Sequence, residues 1–201
     1  MFMGHQAMNE TGDMEVLKNF TDILEQLGIL YAIGGSMASS IYGVVRFTQD
    51  ADITVEPFEN QADQLYQLLR HRYYISREAM NAALIQRGSF NVIHLESAFK
   101  IDIFVRKDTA FEQQLILRRK LLRFSDSIGK NFAVVSPEDI VLLKLRWYRD
   151  GGQTSQRQWQ DVLEILAVQK KNLDFEYLNR WAAVLGINEL FPKAVNAASS
   201  G

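Results

Sequence analysis

Residues 34–53 of the chain, G-G-S-M-A-S-S-I-Y-G-V-V-R-F-T-Q-D-A-D-I, decide its fold. They follow a short apolar stretch of strand type, residues 29–33, which the glycine pair ends. The small residues of Met37–Tyr42 predict a short helix. Residues 50–56, D-A-D-I-T-V-E, alternate polar and apolar side chains, as a strand with one solvated face does. Strand, helix and strand in succession predict an α/β core.

Asp50 and Asp52 form an acidic pair on the second of these strands. Because they stand two residues apart, their side chains share one face, with Cα atoms roughly 6.5 Å apart. Aspartate is disfavoured inside strands, so two on one face need a reason. Thr54 and Glu56 continue the same polar row, as they would on a face exposed to solvent. The pair alone therefore leaves open both a solvent face and an acidic site.

A second acidic strand follows at residues 99–105, F-K-I-D-I-F-V. Alternation gives its aliphatic residues the core face and leaves Lys100 and Asp102 on the other face. If this strand neighbours the first, Asp102 joins Asp50 and Asp52 on one patch, where mutual repulsion makes three carboxylates costly to bury. A divalent cation relieves that repulsion, and Mg²⁺ prefers a few carboxylates together with substrate phosphates. The pattern favours Mg²⁺ or Mn²⁺ at these three residues.

The glycine turn and the residues before the acidic pair have phosphate-binding chemistry. Gly34, Gly35 and Ser36 offer bare backbone amides and a hydroxyl at a helix start, which suits an anionic phosphate. A tight turn without any ligand needs glycine as well. Arg46 and Thr48 then lead into the acids as R-F-T-Q-D-A-D, and Arg46 fits a phosphate contact or a surface ion pair.

Other polar residues stand where either a structural or a functional role is open. Lys144 lies in an almost wholly apolar helix, so it extends to the surface or meets an anion. His94 fits a donor to a phosphate or to a metal-bound carboxylate, and also a core histidine that bonds a backbone carbonyl. Arg157 and Asp161 follow a double-glycine turn, as in a nucleotide-closing element or an ordinary helical hairpin. Together with Lys100, the residues His94, Arg157 and Asp161 are candidate accessory residues.

The chain as a whole is predicted to have three regions: a flexible leader over residues 1–13, an α/β core over 14–135, and a helical region over 136–201 packed on that core. The S-P-E-D sequence at 136–139 predicts the helical start, with a capping hydroxyl, a first-turn proline and an acid. The other predicted elements are helices over 14–27, 60–72, 77–87, 155–170 and 174–185, a hairpin of strands 90–95 and 99–105 turning at Glu96 and Ser97, and a β pair within 115–135.

Composition narrows the classes of function. The 201 residues contain no cysteine, which excludes disulfides, thiolate metal sites and cysteine nucleophiles, and three histidines without metal-binding spacing give little support to zinc. A net charge of −2 gives no general attraction to nucleic acid or anionic lipid, and the basic cluster within 118–123 fits a local nucleic-acid contact or a solvated face. No apolar run has the length of a membrane span, and the first residues lack a secretion signal, so a cytoplasmic location is predicted.

The string at 34–53, followed by K-I-D-I-F at 100–104, resembles the nucleotidyltransferase superfamily. The pattern of that superfamily is a glycine-rich turn, an Asp-x-Asp on the next strand and a third acid on a later strand. The form R-x-T-x-D-x-D is similar to a bacterial branch that includes abortive-infection and toxin–antitoxin nucleotidyltransferases. The resemblance implies an α/β (α+β) nucleotidyltransferase-like core with a mixed or antiparallel sheet, followed by a C-terminal helical part. It extends to the helices that carry Lys144 and Asp161.

The resemblance also implies roles for the site residues. Asp50 and Asp52 would bind two metal ions, and Asp102 would bind the ion that activates an acceptor hydroxyl. Gly35 and Ser36 would hold the β and γ phosphates of a nucleoside triphosphate. Lys144 would contact the triphosphate as well.

These features lead to two hypotheses. The first is a Mg²⁺-dependent nucleotidyltransferase that moves a nucleoside monophosphate from a triphosphate to a hydroxyl of RNA or tRNA, of a protein or of a small molecule, with release of pyrophosphate. The second is a non-catalytic protein that keeps the fold and acts as a nucleotide sensor or as a partner in a toxin–antitoxin pair. The base, the acceptor and the oligomeric state are not determined by the sequence.

Overall fold

The computed structural model describes the backbone of residues 3–45, 48 and 50–200, and the side chains of residues 12–45, 48 and 50–199. The chain divides into two compact units. We call residues 1–34 and 47–134 the sheet unit, and residues 35–46 and 135–201 the helical unit. The predicted α/β class, with a mixed sheet and a helical C-terminal part, is confirmed.

Within the described residues, the strands of the sheet unit form one seven-stranded sheet in the order β3-β4-β5-β2-β1-β7-β6. The pairs β2–β5 and β1–β7 are parallel, and the other neighbours are antiparallel. The strands are β1 Tyr31–Ile33, β2 Asp50–Val55, β3 Tyr73–Ile75, β4 Ser89–His94, β5 Lys100–Val105, β6 Lys120–Leu122 and β7 Phe132–Val134.

Helices belong to both units. Those of the sheet unit are α1 Met3–Gln26, α3 Ala62–Leu69, α4 Arg77–Gln86 and α5 Ala110–Leu117, with 3-10 turns at Glu59–Gln61 and Asp126–Ile128. Those of the helical unit are α2 Gly35–Tyr42, α6 Pro137–Asp150, α7 Gln156–Gln169, α8 Phe175–Val184 and α9 Leu190–Ser200. Among the described residues, none of these helices combines the length and the apolar character needed to cross a membrane.

Several predicted elements are confirmed by these bounds. Strands β4 and β5 form the predicted hairpin, and β6 and β7 form the β pair predicted within 115–135. The start of α6 is also as predicted, because Ser136 Oγ accepts a hydrogen bond of 3.2 Å from the backbone N–H of Asp139.

Other elements differ from the prediction. Helix α1 begins at Met3, ahead of the start predicted at residue 14. Strand β3 was not predicted, because three residues are too few to show a clear alternation of polar and apolar side chains. Helix α5 lies partly within the range predicted as a β pair. Helix α9 was not predicted, although its buried residues Leu190, Phe191 and Ala194 stand at helical spacing.

The core of the sheet unit follows the alternation of its two central strands. Ala51, Ile53 and Val55 of β2 are fully buried, and Ile101 and Ile103 of β5 are at most 1% exposed. Helix α4 contacts β4 and β5, and helix α5 contacts β1 and β2. Burial of these side chains fixes the register of β2 against β5, because a slip of one residue would turn the apolar side chains to the opposite face of the sheet.

The core of the helical unit surrounds α6, which contacts α2, α7 and α8. Six consecutive residues of this helix, 140–145, are buried, and one of them is Lys144. Its Nζ lies 2.5 Å from Asp161 Oδ2 of α7 and donates a hydrogen bond of 2.9 Å to Gln158 Oε1. Lys144 and Asp161 are each 1% exposed, so this is a buried ion pair between two helices.

The substitution Lys144→Ala should destabilise the protein by about 3–5 kcal/mol, because it leaves the Asp161 carboxylate buried without its ammonium partner. Urea unfolding followed by circular dichroism measures the loss. Lys193→Ala, at an exposed position of α9, is the control and should change stability by less than about 0.5 kcal/mol. The double variant Lys144→Met, Asp161→Leu should recover most of the loss, since it removes both charges. If Lys144→Ala and the wild-type protein have the same midpoint urea concentration of unfolding, a structural role for the ion pair is contradicted.

Candidate active site

The acidic residues of the two central strands lie side by side. Strands β2 and β5 are parallel neighbours, and their register pairs Asp52 with Asp102 and Asp50 with Lys100. Paired residues point to the same face of a sheet, so three carboxylates share one face, with neighbouring strands about 4.8 Å apart. The sequence predicts that the three carboxylates share one patch if the two acidic strands are neighbours, and the strands are neighbours. We call Asp50, Asp52 and Asp102 the acidic row.

The acidic row is accessible but not fully exposed. Asp50, Asp52 and Asp102 are all of intermediate burial, and the Asp102 side chain is 23% exposed. The residues between them, Ala51 and Ile101, are fully buried on the opposite face. The row is therefore held on a well-packed part of the sheet while its side chains remain partly exposed to solvent.

Lys100 lies in the same row and supplies a positive charge. Its Nζ donates a hydrogen bond of 2.8 Å to Asp102 Oδ2. That hydrogen bond is the largest cause of a raised pKa for the Lys100 ammonium; partial burial opposes the rise, and the charges of Asp102, Asp50 and Asp52 add to it. The four residues thus form one coupled electrostatic group.

Carboxylate oxygens are ligands that Mg²⁺ prefers, so the donor chemistry of the acidic row fits a divalent cation. One oxygen of the acidic row already has a cationic partner, because the Lys100 ammonium contacts Asp102 Oδ2. In the part of the chain that the structure describes, no three His, Asp or Glu side chains are placed to hold a metal ion. A cation bound at Asp102 Oδ2 therefore requires Lys100 to move away from that oxygen.

Thr48 orients the first carboxylate of the row. Its Oγ1 donates to Asp50 Oδ1 at 2.8 Å, and the same hydroxyl lies 3.2 Å from the backbone oxygen of Asp50. Thr48 was predicted to contact nucleotide, and its observed bond instead fixes the rotamer of Asp50. Arg46, the other residue predicted in this segment, lies outside the described residues.

The glycine turn begins beside the acidic strand. The backbone N–H of Gly34 donates to the backbone oxygen of Asp52 at 2.8 Å, which extends the pairing of β1 and β2. Gly35, the first residue of α2, has a φ of +56°. This left-handed conformation favours glycine, since a side chain there costs roughly 1 kcal/mol or more. The second glycine of the pair is therefore required by backbone geometry, whether or not the turn binds phosphate.

In the helical unit, two predicted site residues from distant parts of the sequence are in contact. The Arg157 Nη2 donates a hydrogen bond of 2.8 Å to Ser36 Oγ. Ser36 stands in the first turn of α2, and Arg157 stands in the first turn of α7. The contact places a guanidinium and a hydroxyl together, a combination that suits a phosphate oxygen.

Lys144 and Asp161 contact each other inside the helical unit. Lys144 neither extends to the surface nor faces an open anion site; the anion it meets is the buried carboxylate of Asp161. We therefore leave Lys144 out of the phosphate contacts proposed below. Gln158, which accepts a hydrogen bond from Lys144, was not identified from the sequence, because a glutamine in a helix carries no distinctive pattern.

His94 does not join the acidic row. It shares the alternation of Phe90 and Val92, which pair with the core-facing residues of β5, so it lies on the face opposite Asp102. Its Nδ1 is 3.0 Å from Ser97 Oγ, and its ring lies 5.2 Å from that of Tyr73. The structural alternative holds for His94, although its hydrogen-bond partner is a hydroxyl of the hairpin turn.

One further residue of the acidic face was not predicted from the sequence. Asn91 of β4 pairs directly with Asp102, and antiparallel partners share a face. Its amide therefore extends the row by one strand. The signal was available in the alternation of β4, where Asn91 stands between the buried Phe90 and Val92.

No protein-family model matches the sequence, and the comparison with curated proteins gives no match. An antigenic nucleotidyltransferase-like protein from Paracoccidioides brasiliensis superposes with a TM-score of 0.53 at 19% identity, covering 91% of each chain. The antibiotic-resistance factor ANT(2'')-Ia in solution gives 0.53 at 14% identity, covering 94% of this chain and 96% of its own. Its crystal structure with adenylyl-2''-tobramycin gives 0.54 at 13% identity, covering 85% and 95%. This chain therefore has the nucleotidyltransferase fold.

Proposed function

We propose that the protein is a nucleotidyltransferase that moves a nucleoside monophosphate from a nucleoside triphosphate to a hydroxyl acceptor, with release of pyrophosphate. The observation that carries the proposal is the pairing of Asp52 with Asp102 on adjacent parallel strands of this fold. A fold alone does not imply a function, so the argument rests on this row of carboxylates.

The chemistry assigned to the acidic row is an in-line displacement. The acceptor oxygen forms a bond to the α-phosphorus, the bond from that phosphorus to the oxygen bridging to the β-phosphate breaks, and pyrophosphate leaves. The hydroxyl proton passes to a carboxylate oxygen of Asp102. A bound Mg²⁺ would neutralise charge on the attacking oxygen and on the leaving group. The residues that would hold it are Asp50, Asp52 and Asp102.

Phosphate contacts are assigned to the glycine turn and to the pair of Ser36 and Arg157. The backbone amide of Gly35 suits a phosphate oxygen, whereas that of Gly34 already donates to the backbone oxygen of Asp52. The contact of Ser36 with Arg157 offers a hydroxyl and a guanidinium. Thr48 acts as a positioning residue, because its hydroxyl holds the Asp50 carboxylate. Each of these groups orients the substrate rather than reacting with it.

The acceptor is proposed as a hydroxyl compound, and three classes fit: an RNA or tRNA end, a protein side chain, and a small alcohol. The complex of ANT(2'')-Ia with adenylyl-2''-tobramycin is an example of the last class in a protein of the same fold. A cytoplasmic location and a partner in a toxin–antitoxin pair remain part of the proposal.

The substitution Asp52→Asn should lower the rate of pyrophosphate release by at least about 100-fold, because it removes one charge from the centre of the acidic row while keeping its shape. The measurement uses the full chain with Mg²⁺, each of the four labelled nucleoside triphosphates, and RNA, protein and small-alcohol acceptors. Asp126→Asn, at a side chain that is 98% exposed, is the matched control and should keep the wild-type rate.

Equal rates in Asp52→Asn and the wild-type protein would refute the assignment of the acidic row. Metal-dependent triphosphate binding without turnover in any reaction would instead support the nucleotide sensor. Calorimetry on the same samples separates these two outcomes.

The substitution Arg157→Gln should weaken triphosphate binding by roughly 10- to 100-fold, because a hydrogen bond to a charged phosphate is worth about 1.5–3 kcal/mol. Calorimetric titration of the triphosphate in the presence of Mg²⁺ measures the change. Arg180→Gln, at an exposed arginine of α8, serves as the control and should bind as the wild-type protein does. Unchanged affinity in Arg157→Gln would remove this residue from the phosphate contacts.

A further inference from the structure

The acidic row contains its own cation, which the proposed function does not require. Lys100 stands two residues before Asp102 on β5 and directly beside Asp50 across the strand pair. Because side chains alternate along a strand, the Lys100 side chain projects from the same face as Asp102. The 2.8 Å bond to Asp102 Oδ2 places that charge on one of the oxygens assigned to a metal ion.

We propose that Lys100 is a resident counter-cation of the acidic row, which a divalent cation must displace, so that Lys100 sets the affinity of the site for metal. The inference rests on the proposed function, because it assumes that Asp50, Asp52 and Asp102 bind the metal.

The electrostatics of the row require a counter-charge. Three carboxylates on adjacent positions repel one another, and each is partly withdrawn from water. An ammonium within hydrogen-bonding distance relieves that repulsion while the protein is free of ligand. An ammonium and a divalent cation cannot share the same lone pairs of Asp102 Oδ2, so the two compete.

The exposure of Lys100 allows the exchange. Its side chain is 43% exposed, whereas the side chain of Lys144 in the buried pair with Asp161 is 2% exposed. An exposed ion pair contributes little to stability, so breaking the contact of Lys100 with Asp102 carries a small penalty. The flexible four-carbon stem lets the ammonium swing into solvent or toward a phosphate. Lys144 has no comparable freedom.

The experiment measures binding of Mn²⁺ to the full chain by electron paramagnetic resonance of free Mn²⁺, a readout that needs no turnover. Lys100→Met keeps the length of the stem and removes the charge, and it should bind Mn²⁺ about ten-fold more tightly, because a nearby unit charge is removed at a partly screened position. Lys107→Met, at an exposed lysine just beyond β5, is the control and should bind with wild-type affinity. Circular dichroism verifies that each variant is folded.

Each outcome decides a separate claim. Equal Mn²⁺ affinity in Lys100→Met and the wild-type protein, with binding lost in Asp52→Asn, overturns the role of Lys100 and leaves the proposed function standing. Absence of Mn²⁺ binding in both the wild-type protein and Lys100→Met overturns the metal site and this inference together. Tighter binding in Lys100→Met that persists in the double variant Lys100→Met, Asp52→Asn places the ion elsewhere and also overturns the inference.

Discussion

The parallel, in-register pairing of β2 with β5 is the constraint on which the candidate site depends. It brings Asp52 and Asp102 next to each other although they are distant in the sequence. The apolar residues between the acids enforce the pairing, since Ala51 and Ile101 are fully buried on the other face and a slip of one residue would expose them. Hydrophobic burial therefore maintains an electrostatic arrangement that would be unfavourable by itself. That division of roles explains how a row of carboxylates persists in a stable sheet.

Two lysine–aspartate contacts show how burial changes the meaning of the same interaction. Lys144 and Asp161 are closed off from water between two helices, so their contact is a structural element with a high penalty for breaking it. Lys100 and Asp102 meet on a half-open face, where water can solvate either partner. The first contact stabilises the helical unit, and the second leaves the acidic row able to change partners. Sequence position alone does not separate the two, because both lysines stand among apolar neighbours.

The fold was predicted in its class and in most of its elements, and the failures have physical causes. The hairpin of β4 and β5 was predictable because its strands are long enough to show alternation, and the start of α6 was predictable because Ser136 caps it. Strand β3 has three residues and depends on its pairing with β4, which is a tertiary contact. Helix α5 was missed because its apolar residues, in a short segment, fit a helix and a strand about equally well.

For the candidate site, the sequence by itself determined which side chains share a face within each strand, since the two-residue repeat of a strand is a local property. It thereby paired Asp50 with Asp52, and Lys100 with Asp102, before any contact was known. Only the tertiary structure decided that these two strands are neighbours, that the Lys100 ammonium bonds Asp102, and that Lys144 meets Asp161. The reason is that strand order and partner choice depend on packing between residues far apart in the chain, and local spacing carries no information about that packing.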